Sequence, residues 1–261
     1  MSPNALLEAT GRPVVTGIDW VLATLGLAAR AVAAAPELRR GPMKLEFQRS
    51  LRLALPGSLA HVVMFALVLG MTLIGQGLYW LTLAGQTGLV RTLMVDMLTR
   101  EVAPVLVAMV LLARVGTGTL LELAAVRAGS AWRGLESQGI DAFRLLAVPR
   151  AFAAGMAGFV HTVIAIAVAS FGGHLTALML GASTLRPIHF LNSVLDSMHI
   201  QDFLLVAVKG PMLGFMAALA TATVALASAQ LAAEPPKLVQ RGLALGAVAV
   251  IVTSLVLSTL L

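Results

Sequence analysis

Long apolar runs separated by short polar segments organise this chain. They fall at about residues 56–80, 100–126, 152–180, 202–229 and 242–261. A bilayer core about 30 Å thick is crossed by a helix of about 20 apolar residues, so each run is long enough to span once. None shows the period-two alternation of a membrane β-strand. The pattern predicts an all-α integral membrane protein with about five transmembrane helices. Tyr79 and Trp80 close the first span with an aromatic pair suited to headgroup depth.

An earlier stretch, 14–35, is only moderately apolar and contains Asp19 and Arg30. It predicts an N-terminal helix lying in the interface, with Trp20 at headgroup depth, rather than another span. The polar segments differ in charge. Arg39, Arg40, Lys44, Arg49 and Arg52 precede the first span, Arg127, Arg133, Arg144 and Arg150 flank the segment 128–146, and Lys237 and Arg241 precede the last span. The opposite side has Arg91, Arg100 and Arg186, with Asp196, His189 and His199. By the positive-inside rule the N-terminus is expected in the cytoplasm and the C-terminus outside.

Composition agrees. Of 261 residues, 59% are hydrophobic and 11% charged, against about 25% charged in a soluble domain; the mean hydropathy is +0.93. The formal charge of +6 is assigned to cytoplasmic anchoring, and no nucleic-acid partner is expected. The absence of cysteine removes disulfides, thiolate catalysis and cysteine-based metal sites. The first residues lack a basic stretch followed at once by an apolar core, so no cleaved signal peptide is expected. Gly70, Gly155, Gly158, Gly172, Gly173, Gly210 and Gly214 are expected at close helix contacts, because small residues let helices approach in lipid.

Ionisable groups inside spans need partners or water. Arg100 and Glu101 open the second span, with Pro104 expected near its first turn, where proline is tolerated. Two readings stand for the Arg100–Glu101 pair: an interfacial pair that sets helix depth, or a polar element at the mouth of a cavity between two subunits. Arg114 lies about 20 Å into that span. Glu122 is about 80° away from it around the helix, so the two cannot pair and each needs another partner. Arg114 is either a structural link or a substrate contact. Lys209 is a candidate for an intramembrane contact. His61, His161 and His174 stand singly and lack ligand spacing, so no metal site is expected.

Several chemistries lack their motifs. The lysines are followed by Leu, Gly and Leu, so there is no phosphate-binding G-K-[ST] loop. H-E-x-x-H and G-x-S-x-G are missing too. The chain is expected to be non-catalytic and to hold no cofactor. If ATP drives it, a separate subunit binds the ATP.

The motifs L-T-R-E-V-A-P (98–104), A-R-V-G-T-G (113–118), E-L-A-A-V-R (122–127) and L-E-S-Q-G-I-D-A-F-R-L-L-A-V-P-R (135–150) resemble the MlaE-type permease family, the membrane subunits of MCE-associated lipid-transport ABC systems. Ala103 and Ala142 stand where that pattern has Gly and Pro, and only Arg241 is retained from its C-terminal element, so the chain resembles a divergent member. The resemblance implies a bacterial inner-membrane homodimer with a cytoplasmic ABC ATPase, a periplasmic MCE-domain protein and a STAS-domain partner in many systems. It implies phospholipid as cargo, in the service of outer-membrane lipid asymmetry. It also implies that Glu136, Gly139, Asp141 and Arg144 belong to a cytoplasmic coupling helix and that Arg100 and Glu101 lie at the lipid-facing cavity mouth. Beside that resemblance, Arg133 is a further charge for contact with a soluble ATPase, and Pro104, Arg114 and Glu122 are further candidates for the lipid pathway or cavity mouth. The competing readings are a stand-alone secondary transporter, which would need inverted repeats and broken helices, and a non-transporting assembly subunit.

Overall fold

The computed structural model describes residues 19–85, 96–181, 198–228 and 233–260, with 188, 192 and 194–196 between them. Expectations for residues 14–18, Arg91, Arg186, His189 and Leu261 lie outside the described residues.

Among the described residues the chain is helical. Residues 19–33 form α1, followed by a 3-10 turn at Ala35–Arg39. Then come α2 (Gly41–Leu83), α3 (Leu98–Ala128), the short α4 (Ser130–Ser137), α5 (Phe143–Met179), α6 (Ile200–Ala227) and α7 (Pro235–Leu260). Five of them, α2, α3, α5, α6 and α7, are long and apolar enough to cross a membrane. In hydrocarbon a helix satisfies its own backbone groups, which makes it the natural element for such runs.

The helices extend beyond the apolar runs. α2 starts at Gly41 and carries Lys44, Arg49 and Arg52 before Pro56, where the sequence suggests a polar lead-in. α5 starts at Phe143, ahead of 152, and α7 starts at Pro235, ahead of 242. The segment 128–146 is therefore not one helix. It consists of α4, a turn at Gly139 with φ +73°, and the first turn of α5.

α5 packs along α2 on one side and α6 on the other, and α7 packs on α6. α3 lies across this row and touches all four. α6 is the most enclosed of the five. The contacts rest on glycine. A Cβ on Gly158 would come 2.6 Å from the carbonyl oxygen of Gly210, and one on Gly172 would come 2.6 Å from that of Leu67. Gly70 meets the Ala169 backbone and Gly214 the Ala154 backbone in the same way. These α2–α5 and α5–α6 seams fit van der Waals association in lipid, where apolar burial from water is not available.

The chain direction puts the basic segments at one end of the bundle. α1 packs there. Thr24, Ala31 and Ala34 are buried against the core that includes Leu219 and Val224, while Leu22, Leu25 and Val32 are exposed. Such a two-faced helix suits an interfacial position.

Candidate functional site

Among the described residues, three clusters of charged groups are built on α3 and its continuation. The first is at the end of the bundle away from the basic segments. Arg100 and Glu101 are sequence neighbours of opposite charge, yet each pairs with α6. Arg100 Nε lies 2.6 Å from Asp202 Oδ1, and Lys209 Nζ lies 2.7 Å from Glu101 Oε2. Asp202 also begins α6: its carboxylate accepts the backbone N–H of His199 at 2.7 Å in a capping box. Lys209 is fully buried. An ammonium has three protons to donate, and three acceptors surround it: Glu101, the Arg100 carbonyl oxygen and Ser258 Oγ, each at 2.7 Å. Ser258, on α7, in turn donates to Glu101 Oε1 at 2.7 Å.

Pro104 explains why the Arg100 carbonyl is available. In a regular α-helix that carbonyl would accept the N–H of residue 104, and proline has none. The backbone here makes a π-turn, Leu98–Val102, with the N–H of Ala103 donating to the Leu98 carbonyl. Such turns are frequent at functional positions of α-helices. Pro104 thus sits at the junction of π and α geometry, not in a simple first turn. The contact expected of Lys209 is present, and two of its three partners, Arg100 and Glu101, are residues the sequence also singles out.

The second cluster is a cavity of about 210 Å³ in the basic half, between α2, α3 and α5. Arg150, only 12% exposed, bridges two carboxylates: its Nε donates to Glu46 at 2.8 Å, and its Nη1 lies 2.9 Å from Glu122. Glu122 therefore pairs with Arg150 and not with Arg114, as the helical offset requires. Arg114 lines the same cavity, lies on a second π-turn, Leu112–Gly116, and makes no ion pair or hydrogen bond among the described residues. It also borders an apolar groove with His61, Phe65 and Met109. Its exposed guanidinium thus lies between a polar cavity and an apolar groove, where it can make charge-assisted hydrogen bonds to an anion.

The third cluster is α4 and the turn after it. Trp132 is buried, and its Nε1–H donates to Glu136 Oε1 at 2.7 Å. Arg127 lies over the Trp132 ring, 4.9 Å from its centroid, and 3.7 Å from Glu136. Gly139 takes the left-handed backbone that ends α4, with open space around it. Asp141 accepts the backbone N–H of Phe143 at 3.0 Å and of Arg144 at 3.3 Å, so it caps α5. It is also 3.1 Å from Arg30 of α1, and Arg144 is 3.2 Å from Glu37. Arg30 covers the ring of Phe143. The carboxylates of Glu136 and Asp141 thus hold this segment together and tie it to α1. Arg133 is exposed and makes no such contact among the described residues.

His161 Nε2 is 3.0 Å from the carbonyl oxygen of Leu55, which makes it a link between α5 and α2.

Sequence comparison places this geometry in a known setting. A model of the family described as permease MlaE matches residues 47–260. A probable ABC transporter permease protein of Synechocystis sp., slr1045, is 32% identical over 122 residues, which cover 47% of this chain and 46% of that protein. The matched part spans about half the length of that curated relative. The family match takes in α3 with its two π-turns, the α4 segment and every long helix from Phe47 onward, and the chain belongs to the MlaE permease family.

Proposed function

We propose that the chain is the membrane-spanning, non-catalytic permease subunit of an ABC transporter that moves phospholipid between the inner membrane and a periplasmic MCE-domain protein. In this reading two copies form the membrane unit, a separate cytoplasmic ATPase binds ATP, and a STAS-domain protein is a further partner in some assemblies. The basic end of the bundle faces the cytoplasm. Cargo glycerophospholipid passes the Arg100–Glu101 end of α3.

One observation carries the reading. α3 is a single element of 31 residues, about 46 Å long. At one end it is locked to α6 and α7 through Arg100, Glu101 and Lys209. At the other it runs through Gly129 directly into α4. A soluble partner docked on α4 has a continuous mechanical path to the charged cluster at the far end. Nucleotide state can shift the two ends together only if the partner binds two arrangements of the bundle with different affinity.

The exposed surface of α4 and its turn carries Arg133, Ser137, Gln138 and Ile140, a mixed polar and apolar patch suited to a docking contact. The test is affinity purification of the tagged protein in mild detergent, with mass spectrometry of what accompanies it. Co-purification of an ATPase, an MCE-domain protein and phospholipid supports the reading. Recovery of the chain alone, under conditions that keep other ABC complexes intact, counts against it.

A further inference from the structure

A second lipid-shaped feature lies between α5 and α6, and no residue of α3 lines it. α5 and α6 leave an apolar groove of about 580 Å³, closed towards the basic end by Val32 of α1 and Leu38 of the 3-10 turn. Phe152, Met156 and Phe159 form one face of α5 there, and Pro211, Met212 and Phe215 the facing stretch of α6. From Phe152 to Phe159 the groove rises about 10 Å along α5, within the roughly 15 Å depth of one leaflet.

At the basic end the groove adjoins a smaller pocket of about 300 Å³ formed with Arg39, Lys44 and Gln48. The two share Leu38 and Phe47 as a common wall. Arg39 and Lys44 are exposed and make no ion pair or side-chain hydrogen bond among the described residues. The arrangement is an apolar trough about 10 Å long within one leaflet, with two cations at its polar end that make no ion pair among the described residues. Its complement is an acyl chain below a negatively charged headgroup.

We propose that this groove holds one anionic phospholipid of the leaflet at the basic end, as a fixed component of the protein rather than as cargo. Its chain lies between α5 and α6, and its phosphate is held by Arg39 and Lys44. The site shares no residue with the clusters at Arg100, Arg114 or Glu122. It does share the 3-10 turn with Glu37, which binds Arg144. A bound lipid would therefore steady the link between α1 and the start of α5, and its absence would loosen that link.

The chain has no cysteine, so a single introduced thiol is a unique label site. Met156 is 51% exposed in the groove, and Met179 is 70% exposed at the far end of the same helix. The full-length chain carrying Met156→Cys or Met179→Cys is labelled with a fluorophore. It is reconstituted in vesicles of phosphatidylcholine and phosphatidylglycerol, with one lipid brominated at a time. Quenching then reports which lipid lies beside the label. The expected result at position 156 is a preference of roughly thirtyfold for phosphatidylglycerol, the scale set by two basic side chains at a membrane surface. At position 179 no preference is expected. Adding Arg39→Gln and Lys44→Gln, both at exposed positions, should abolish the preference at 156. Equal preference at the two positions would overturn the proposal, as would a preference at 156 that survives the double substitution. Lack of quenching at 156 by either lipid would also overturn it, since protein (residues 1–18, a second copy or another chain) would then cover the groove. None of these outcomes bears on the transport reading.

Discussion

The ammonium of Lys209 lies 2.7 Å from the carboxylate of Glu101, and nothing of Lys209 reaches the surface. A buried charge is tolerable only while its partners remain. Glu101→Ala leaves the ammonium with two neutral acceptors, and a loss of about 3 kcal/mol of stability is expected. Lys209→Met combined with Glu101→Ala removes both charges and should recover most of that loss. Thermal unfolding of the four proteins in detergent, treated as a double-mutant cycle, measures the coupling. A double variant as unstable as Glu101→Ala would mean that the pair is not what holds this end together.

Helix seams make a second, independent expectation. Gly158→Ala puts a methyl group against the Gly210 carbonyl, which is backbone and cannot rotate away. A destabilisation of about 1–3 kcal/mol is expected, as for other forced overpacking. Gly118 is also helical but has nothing within 4 Å of the same position. Gly118→Ala should be neutral or stabilising by up to about 1 kcal/mol. Denaturation midpoints that fall equally for both would contradict the close α5–α6 approach.

Asp141 has two duties that substitution separates. Asp141→Asn keeps an oxygen for the Phe143 and Arg144 amides and loses the charge facing Arg30. Asp141→Ala loses both and should cost about 1 kcal/mol more, the usual worth of a cap. Hydrogen exchange of the first turn of α5 reports the difference. Faster exchange is expected in the alanine variant and near-normal exchange in the asparagine variant.

The span count and the all-helical class were legible because hydrocarbon demands runs of about 20 apolar residues, and five such runs are plain in the sequence. Helix ends were less so. Hydropathy reports where side chains turn polar, but the backbone of α2 stays helical through Lys44, Arg49 and Arg52. The turn of α3 between Arg114 and Glu122 correctly excluded their pairing. It could not supply Arg150, which belongs to another helix. Lys209 stood out as a buried cation, but Glu101 lies 108 positions away. The π-turn had one local signal, the missing N–H of Pro104. Glu136 and Asp141 were expected as docking charges. Their partners Trp132, Arg127 and Arg30 show that the same charges also build the segment, which no spacing rule reveals.

ATP-driven movement of phospholipid is the most direct measurement of the central claim. The chain, purified with its ATPase and MCE-domain partners, is reconstituted in vesicles containing fluorescent phospholipid. Lipid should leave or enter the vesicle membrane only while ATP is hydrolysed. Arg133→Glu, at an exposed position that makes no ion pair or side-chain hydrogen bond among the described residues, should keep the unfolding temperature and lower ATP-driven movement roughly tenfold, the scale of one lost charge-assisted contact. Hydrolysis that proceeds with no lipid movement in the wild-type assembly, or an Arg133→Glu assembly that moves lipid as fast as wild type, would contradict the account.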